Sequence, residues 1–398
     1  MAKIRRRAFI LGAASATVLT AMPRKARAAT VFAASGSATD LQSAVDKAQT
    51  GDTVVIPAGT FDFTGQVHAP DGIHIMGAGR DKTFLIKKDD LSEWHAMITV
   101  DCKTGHPFVF SGITLQGRLD VLQGTNRTTA ATKVKDQGLV ILGAAKNVMI
   151  FGCRFSKFVR AGIEFVGSWG RIPGPQTGVV YNNQFIDNWY SYLGYGVAVN
   201  GNPTTWNAPL GLGAANAIFV EDNYFERQRH CVTGSNGAIY TARYNTVKDN
   251  YQDSQSFDAH GLSRAWSRGT RAVEIYKNTV DNSIRRWAGV GIRGGAGVVW
   301  GNRLNGVTHA VVLYLEIPPS REPLRRNPAL DQIGNPDGLY IWDNDASENH
   351  VYMNPTKTAS TPYPITYWIQ QGRDYYLQAK SGYAPYTYPH PLRALHHG

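Results

Sequence analysis

From about residue 95 onward, short apolar runs recur, each followed by a turn residue, usually Asn, then one further residue and another apolar one. The instances are VMIFGCRF (148–155), VVYNNQF (179–185), IFVEDNYF (218–225), YTARYNTV (240–247), VEIYKNTV (273–280) and VVWGNRL (298–304). Taking Asn183, Asn223, Asn245, Asn278 and Asn302 as equivalent gives spacings of 40, 22, 33 and 24 residues. Repeats of this length with irregular spacing specify a solenoid whose coils share strands and differ in their loops. Asn suits a left-handed turn conformation, and stacked Asn side chains can hydrogen-bond along a ladder. No helical periodicity follows residue 50, which excludes a sheet with helices between its strands.

A second strand precedes each Asn strand and usually ends at Gly: GIEFVG (162–167), GVAVNG (196–201), RHCVTG (229–234), SFDAHG (256–261) and GVGIRG (289–294). Aligning the closing glycines turns Ile163/Phe165, Val197/Val199, His230/Val232, Phe257/Ala259 and Val290/Ile292 inward, because side chains alternate along a strand. The outward residues then fall into columns. One runs Val166, Asn200, Thr233, His260, Arg293; the next runs Glu164, Ala198, Cys231, Asp258, Gly291; a third holds Arg229 and Ser256. A one-residue slip of register would exchange His230 with Arg229.

Ahead of the coils, Thr39–Ala48 carries Leu41, Ala44, Val45 and Ala48 on one stripe after a capping residue at Thr39 or Asp40, which predicts a helix. This helix, the following GDTVVIPAGTF and GIHIMGAG (72–79) resemble the first coils of the pectate-lyase-like superfamily. The resemblance implies an all-β, right-handed parallel β-helix over residues 29–316, its open end covered by the helix. Residues 317–398, with an aromatic, Pro-rich stretch (Tyr375, Tyr376, Tyr383, Tyr386, Tyr388), are expected to pack along that helix or to cap its C-terminal end.

Composition and charge refine the picture. Hydrophobic residues reach 43% and charged ones only 18%, enough for a large core and too little charge for a disordered chain. Lys3, Arg5, Arg6 and Arg7 precede the apolar run Ala8–Met22, and Ala26-Arg27-Ala28 reads as a cleavage site, so residues 1–28 predict an export signal of the twin-arginine type. The apolar run is short of the ~20 residues that span a bilayer. These 28 residues hold seven Lys/Arg and no acid, so without them the formal charge of +11 falls to +4. The basic balance is thus mostly the leader's, and nucleic-acid binding loses its support. A periplasmic or secreted monomer, with no membrane contact after cleavage, is expected. Cys102, Cys153 and Cys231 lack metal-type spacing and read as buried thiols.

Neighbouring coils of a parallel sheet lie ~4.8 Å apart, so the columns gather Arg229, Asp258, His260 and Arg293 into one patch, with Glu164 further along. Active sites of the pectate-lyase-like superfamily lie on this strand face. The resemblance implies β-elimination at a uronic acid of an acidic polysaccharide. Arg recognises carboxylates with a charged fork, His can act as the base, and Asp258 can orient the imidazole. Asp258 with Glu164 would also suit Ca²⁺, although lyases of the superfamily stack several carboxylates. His230, Asn200, Glu164 and Trp266 are the candidate substrate-binding residues. Asp258-Ala259-His260 is similar to the Asp-Pro-His motif of mannuronan C5-epimerases without its Pro, and His260-Gly261 and Ile292-Arg293 match fragments of polygalacturonase motifs whose Asp-Asp pair is missing. A lyase is favoured; an epimerase, a hydrolase and a glycan-binding module stay open.

Overall fold

In a computed structural model, the structure describes residues 28–396 apart from 89–95, 120–135, 169–173, 190–192, 207–208, 252–253, 262–267, 316–332, 335–336, 347–348 and 354–363. The expected leader, Trp266 and most of residues 317–363 lie outside the described residues. The chain winds as a right-handed parallel β-helix, and every named strand pair is parallel. A back sheet runs from Thr30–Phe32 through Val148–Phe151, Ile218–Glu221 and Ala296–Trp300 to Tyr375–Tyr376. The face opposite carries Gln137–Gly143, Ala161–Val166, Tyr195–Asn200, His230–Ser235, Gln255–Ala259 and the ends of two long strands, Thr279–Ile292 and Arg303–Leu313. A narrow third face, with Arg154–Ser156, Gln184–Ile186 and Tyr224–Glu226, closes the coil.

The interior is a stack of like on like. Phe155, Phe185 and Phe225 pack ring on ring at 5.3 and 4.7 Å. The inward positions read from the alternation, Ile163, Phe165, Val197, Val199, Val232, Phe257, Ala259, Val290 and Ile292, are all buried. At the open end, the helix spans Ala38–Val45 and buries Leu41, Ala44 and Val45. Its cap is Ser37, whose Oγ accepts from the Asp40 amide at 3.2 Å, and neither Thr39 nor Asp40 fills that role.

The Asn ladder is present and longer than the sequence pattern indicated. Asn183, Asn223, Asn245, Asn278, Asn302 and Asn344 each accept from the preceding rung, and Cys153 takes the first rung through its amide alone. The left-handed residue is the one before each ladder Asn: Asn182, Asp222, Tyr244, Lys277 and Asp343 have φ of 50–56°. The ladder Asn is therefore selected for its amide side chain, and the turn strain is carried by its neighbour. At the next corner, unread in the sequence, two shorter amide pairs stand in the same way: Asn188 on Gln228 and Asn250 on Asn282.

Past residue 316 the back sheet gains two further strands at Leu339–Trp342 and Tyr375–Tyr376. The segment after them lies across the outer surface of the back sheet. Arg243, fully buried, donates to Glu221 at 2.7 Å, to the Tyr276 hydroxyl at 3.0 Å and to the Tyr386 and Thr387 carbonyls at 2.6 and 2.8 Å. Tyr383 donates to Glu274, Tyr388 stacks on Tyr244, and Arg393 pairs with Glu221 and Asp222. His390 sits edge-on to Phe219 at 4.7 Å.

Two outcomes follow from this packing. Asn245→Ala strands the Val220 carbonyl and the Asn223 amide inside the stack. At ~1–3 kcal/mol for each buried unpaired group, urea unfolding should show a loss of about 2–6 kcal/mol. Burial pushes the His390 imidazole down from 6.5 to about 4 against the opposing pull of Glu221. The docked tail thus keeps this ring neutral while a released tail protonates it, so docking is complete above pH 6.5 and weakens as the pH falls toward about 4. Hydrogen exchange across residues 383–393 should rise in that window while the strands of the opposite face stay protected.

Candidate active site

The face opposite the tail begins each strand with an irregular step. Registers run Ala161↔Tyr195↔His230, then jump to Ile163↔Val197↔Val232. The residues passed over are Gly162, Gly196 and Cys231, with Ser256 and Gly289 in the same row. They turn inward: a Cβ on Gly162 would strike Phe155 and Phe185, one on Gly196 would strike Phe225, and Cys231 belongs to the main core. Two successive inward residues reverse the alternation. His230, expected inside, therefore faces out beside Tyr195, and Cys231 and Ser256, expected outside, face in.

A second correction concerns register. Aligning Gly234 with Gly201 and Gly261 displaces that coil by two residues, since Gly234 pairs with Val199 and Ala259. The coil turns later, at Asn236 and Gly237, both with positive φ. The row that carries Asp258 is thus Glu164, Ala198, Thr233, Asp258, Gly291. His260 and Arg293 follow it by two residues, anchored by amide bonds of 2.9 Å to the Gly234 and Ala259 carbonyls.

Asp258 is the centre of the patch. It is fully buried and receives both arms of the Arg293 guanidinium, His260 Nε2 at 2.8 Å, the Gln255 amide and Thr233 Oγ1 at 3.2 Å. Burial by itself would raise this carboxyl, but the Arg293 guanidinium and then His260 hold it well below the usual carboxylate range. His260 keeps 19% of its side chain exposed, the most open of the three side chains. Arg293 lies with its guanidinium 5.4 Å from the Tyr314 ring, and Gln255 donates to the Tyr314 hydroxyl at 3.0 Å. Gln255 and Tyr314 went unread. The only signal for Tyr314 was its place just after Arg303–Leu313, the strand that pairs with the one ending beside Arg293.

His230 approaches from the next coil. Its Nδ1 lies 2.7 Å from the Gln255 carbonyl, its ring is stacked on Tyr195 at 5.7 Å, and it meets His260 edge-on at 6.2 Å. Burial, then the charges of Arg229 and Arg293, depress it well below its ordinary value, with Asp258 opposing. It is a neutral imidazole.

The other expected residues form a second group. Arg229 does not reach Asp258; it donates to the Tyr195 hydroxyl at 3.2 Å, its charge 5.6 Å from that ring, and Arg160 sits 5.3 Å from the same ring. Glu164 is bound by Arg160 at 2.9 Å, by Gln137 and by Asn200. Glu164 and Asp258 stand three coils apart, about 14 Å at ~4.8 Å per coil. Each carboxylate is neutralised by its own arginine, so the pair does not make a Ca²⁺ site.

No protein-family model and no curated protein sequence matches the chain. Among solved structures, the alginate lyase of Paenibacillus sp. str. FPU-7 aligns with a TM-score of 0.51 at 13% identity, over 82% of this chain and 98% of that one. The Erwinia carotovora ssp. carotovora polygalacturonase aligns at 0.48 and 12%, over 85% and 96%. The Azotobacter vinelandii mannuronan C-5 epimerase A-module aligns at 0.34 and 14%, over 84% and 99%. The chain has the pectate-lyase-type parallel β-helix fold. At these identities the likeness is one of fold and selects no family within it.

Removing Asp258 takes away the carboxylate that holds the buried Arg293 guanidinium. Asp258→Ala should lower the unfolding free energy by about 3–5 kcal/mol, measured as a fall in the urea midpoint. An unchanged midpoint would show that Arg293 does not depend on this carboxylate.

Proposed function

We propose that the protein is an exported polysaccharide lyase that cleaves a uronic-acid-containing polymer by β-elimination. The observation that carries this reading is the isolation of Asp258: among the described residues the patch holds one carboxylate, buried and clamped by Arg293 and His260. Glycoside hydrolysis needs two carboxyl groups about 5–9.5 Å apart, and the about 14 Å to Glu164, three coils at ~4.8 Å, is too far. What the patch offers instead is an imidazole, a guanidinium and a phenol, the groups suited to removing a proton beside a carboxylate. The leader read in residues 1–28 would carry the folded chain out of the cytoplasm to such polymers, and no helix among the described residues is long and apolar enough to cross a membrane.

In this mechanism Arg293 receives the uronate carboxylate. It is already fixed by Asp258, so little side-chain entropy is lost on binding. Neutralising the carboxylate acidifies the C5 proton. His260 holds its Nε2 proton on Asp258, so its basic atom is Nδ1, as in other oriented imidazoles. The C5–H bond breaks with its proton going to Nδ1, the C4=C5 bond forms, and the C4–O bond breaks. Tyr314, tied to the patch through Gln255, supplies the proton to the leaving oxygen. Arg160, Tyr195 and Arg229 lie along the same face and suit a neighbouring acidic sugar. The similarity of Asp258-Ala259-His260 to the epimerase motif supports one second reading, in which the same carbanion is reprotonated from the other side.

The test is incubation with pectate, alginate, glucuronan and glycosaminoglycans while following the absorbance of an unsaturated uronate. A gain is expected with one of these polymers, and His260→Ala should lower it by at least ~100-fold, with circular dichroism confirming that the variant is folded. New reducing ends without absorbance would replace elimination with hydrolysis. A changed uronate ratio in uncut polymer would favour epimerisation, and no change with any polymer would favour binding.

A further inference from the structure

The mechanism above leaves His230 without a task, yet its surroundings are specific. A backbone carbonyl can only accept, so the 2.7 Å contact from Gln255 fixes the proton of His230 on Nδ1. Nε2 is then a bare lone pair. It is buried, has no hydrogen-bond partner, and lies 3.9 Å from Asp258 Oδ2, itself an acceptor. Arg293, Thr233 and His260 all donate to that carboxylate oxygen, but none of them is a partner of His230 Nε2, so a bare buried lone pair faces a carboxylate and suits a shared cation. Across the gap stands His260, its Nε2 2.8 Å from the same oxygen.

We propose that His230 Nε2, Asp258 Oδ2 and His260 Nε2 form a binding site for a divalent first-row transition metal such as Zn²⁺ or Co²⁺. The three donor atoms lie within 4.8 Å of one another. Two bonds of ~2.1 Å span at most about 4.2 Å, so the 3.9 Å between His230 Nε2 and Asp258 Oδ2 is within reach of one ion. That ion would replace the proton in the 2.8 Å contact of His260, while the two imidazole nitrogens, within 4.8 Å, need close by at most about 0.6 Å. Two imidazoles and one carboxylate suit such metals and suit Ca²⁺ poorly. The outer groups match as well. The Nδ1–H of His230 on a backbone carbonyl is the support that metal-binding histidines commonly have, and Arg293 and Gln255 hold the carboxylate in place. Arg293 also sets a limit: its charge opposes a dication, so the site binds reversibly and is not a permanent structural metal.

The consequence rests on the lyase reading. A His260 ring coordinated through Nε2 keeps its remaining proton on Nδ1 and has no lone pair for the C5 proton. Metal occupancy and elimination therefore exclude each other.

The experiment uses the full chain freed of metal with a chelator and titrated with Co²⁺. Saturable, stoichiometric binding with visible d–d bands is expected, displaced by Zn²⁺ and reversed by chelator. His230→Ala and His260→Gln should each weaken it about tenfold or more, with circular dichroism confirming that both variants are folded. Absence of saturable binding, or equal binding by a folded His230→Ala, overturns the site. Where a polymer is cleaved, activity should fall in step with occupancy. Binding without that fall supports the site and overturns His260 as the base.

Discussion

The structure depends on one constraint, that each coil's backbone amides and carbonyls are satisfied by the coils above and below it. That requirement fixes the rise per coil at ~4.8 Å and makes every strand position part of a row. Rows bring together residues far apart in sequence, and they make equal demands on each member. Inward rows become stacks of Phe or of aliphatic side chains. At two corners, where the chain turns and leaves amides unpaired, rows of Asn and Gln take over the hydrogen bonding. The cost of a left-handed residue at each corner, roughly 1–2 kcal/mol, is borne by the residue beside the ladder, which is why Tyr244 and Lys277 can occupy it.

The polar patch follows the same logic on the outer surface. A fully buried carboxylate is expensive unless surrounded by donors, and Asp258 has five hydrogen bonds from four side chains. Those contacts hold Arg293 and His260 in fixed positions on consecutive coils. The carboxylate organises the patch without needing to touch a substrate. Its depressed pKa keeps it charged through the range in which imidazoles titrate, so the orientation of His260 is insensitive to mild acid.

How far the sequence could be read depended on how local each signal was. The Asn ladder was legible because one side chain recurs next to an apolar strand, and Asn344 escaped only because its coil carries a long insertion. The Asp258, His260 and Arg293 cluster was legible because strict alternation holds from the middle of each strand to its end. His230 and Arg229 were misplaced because the row Gly162, Gly196, Cys231 and Ser256 adds a second inward residue at the strand start, a step that only the Phe stack behind it reveals. The displaced coil at Gly234 had a glycine in the expected position but turned two residues later. Gln255 and Tyr314 come from different coils, and nothing in either local pattern links them.

Most contacts in this fold join a coil to its immediate neighbours, so coils can assemble one after another. The tail is the exception: Arg393 meets Glu221 across 172 residues. Until the last residues of the chain exist, Arg243 and Glu221 remain a half-finished ion pair on an uncovered sheet. Residues 383–393 thus seal a charged pair that the bare sheet would show, and a copy broken off before Tyr383 would expose Arg243 and Glu221 to water.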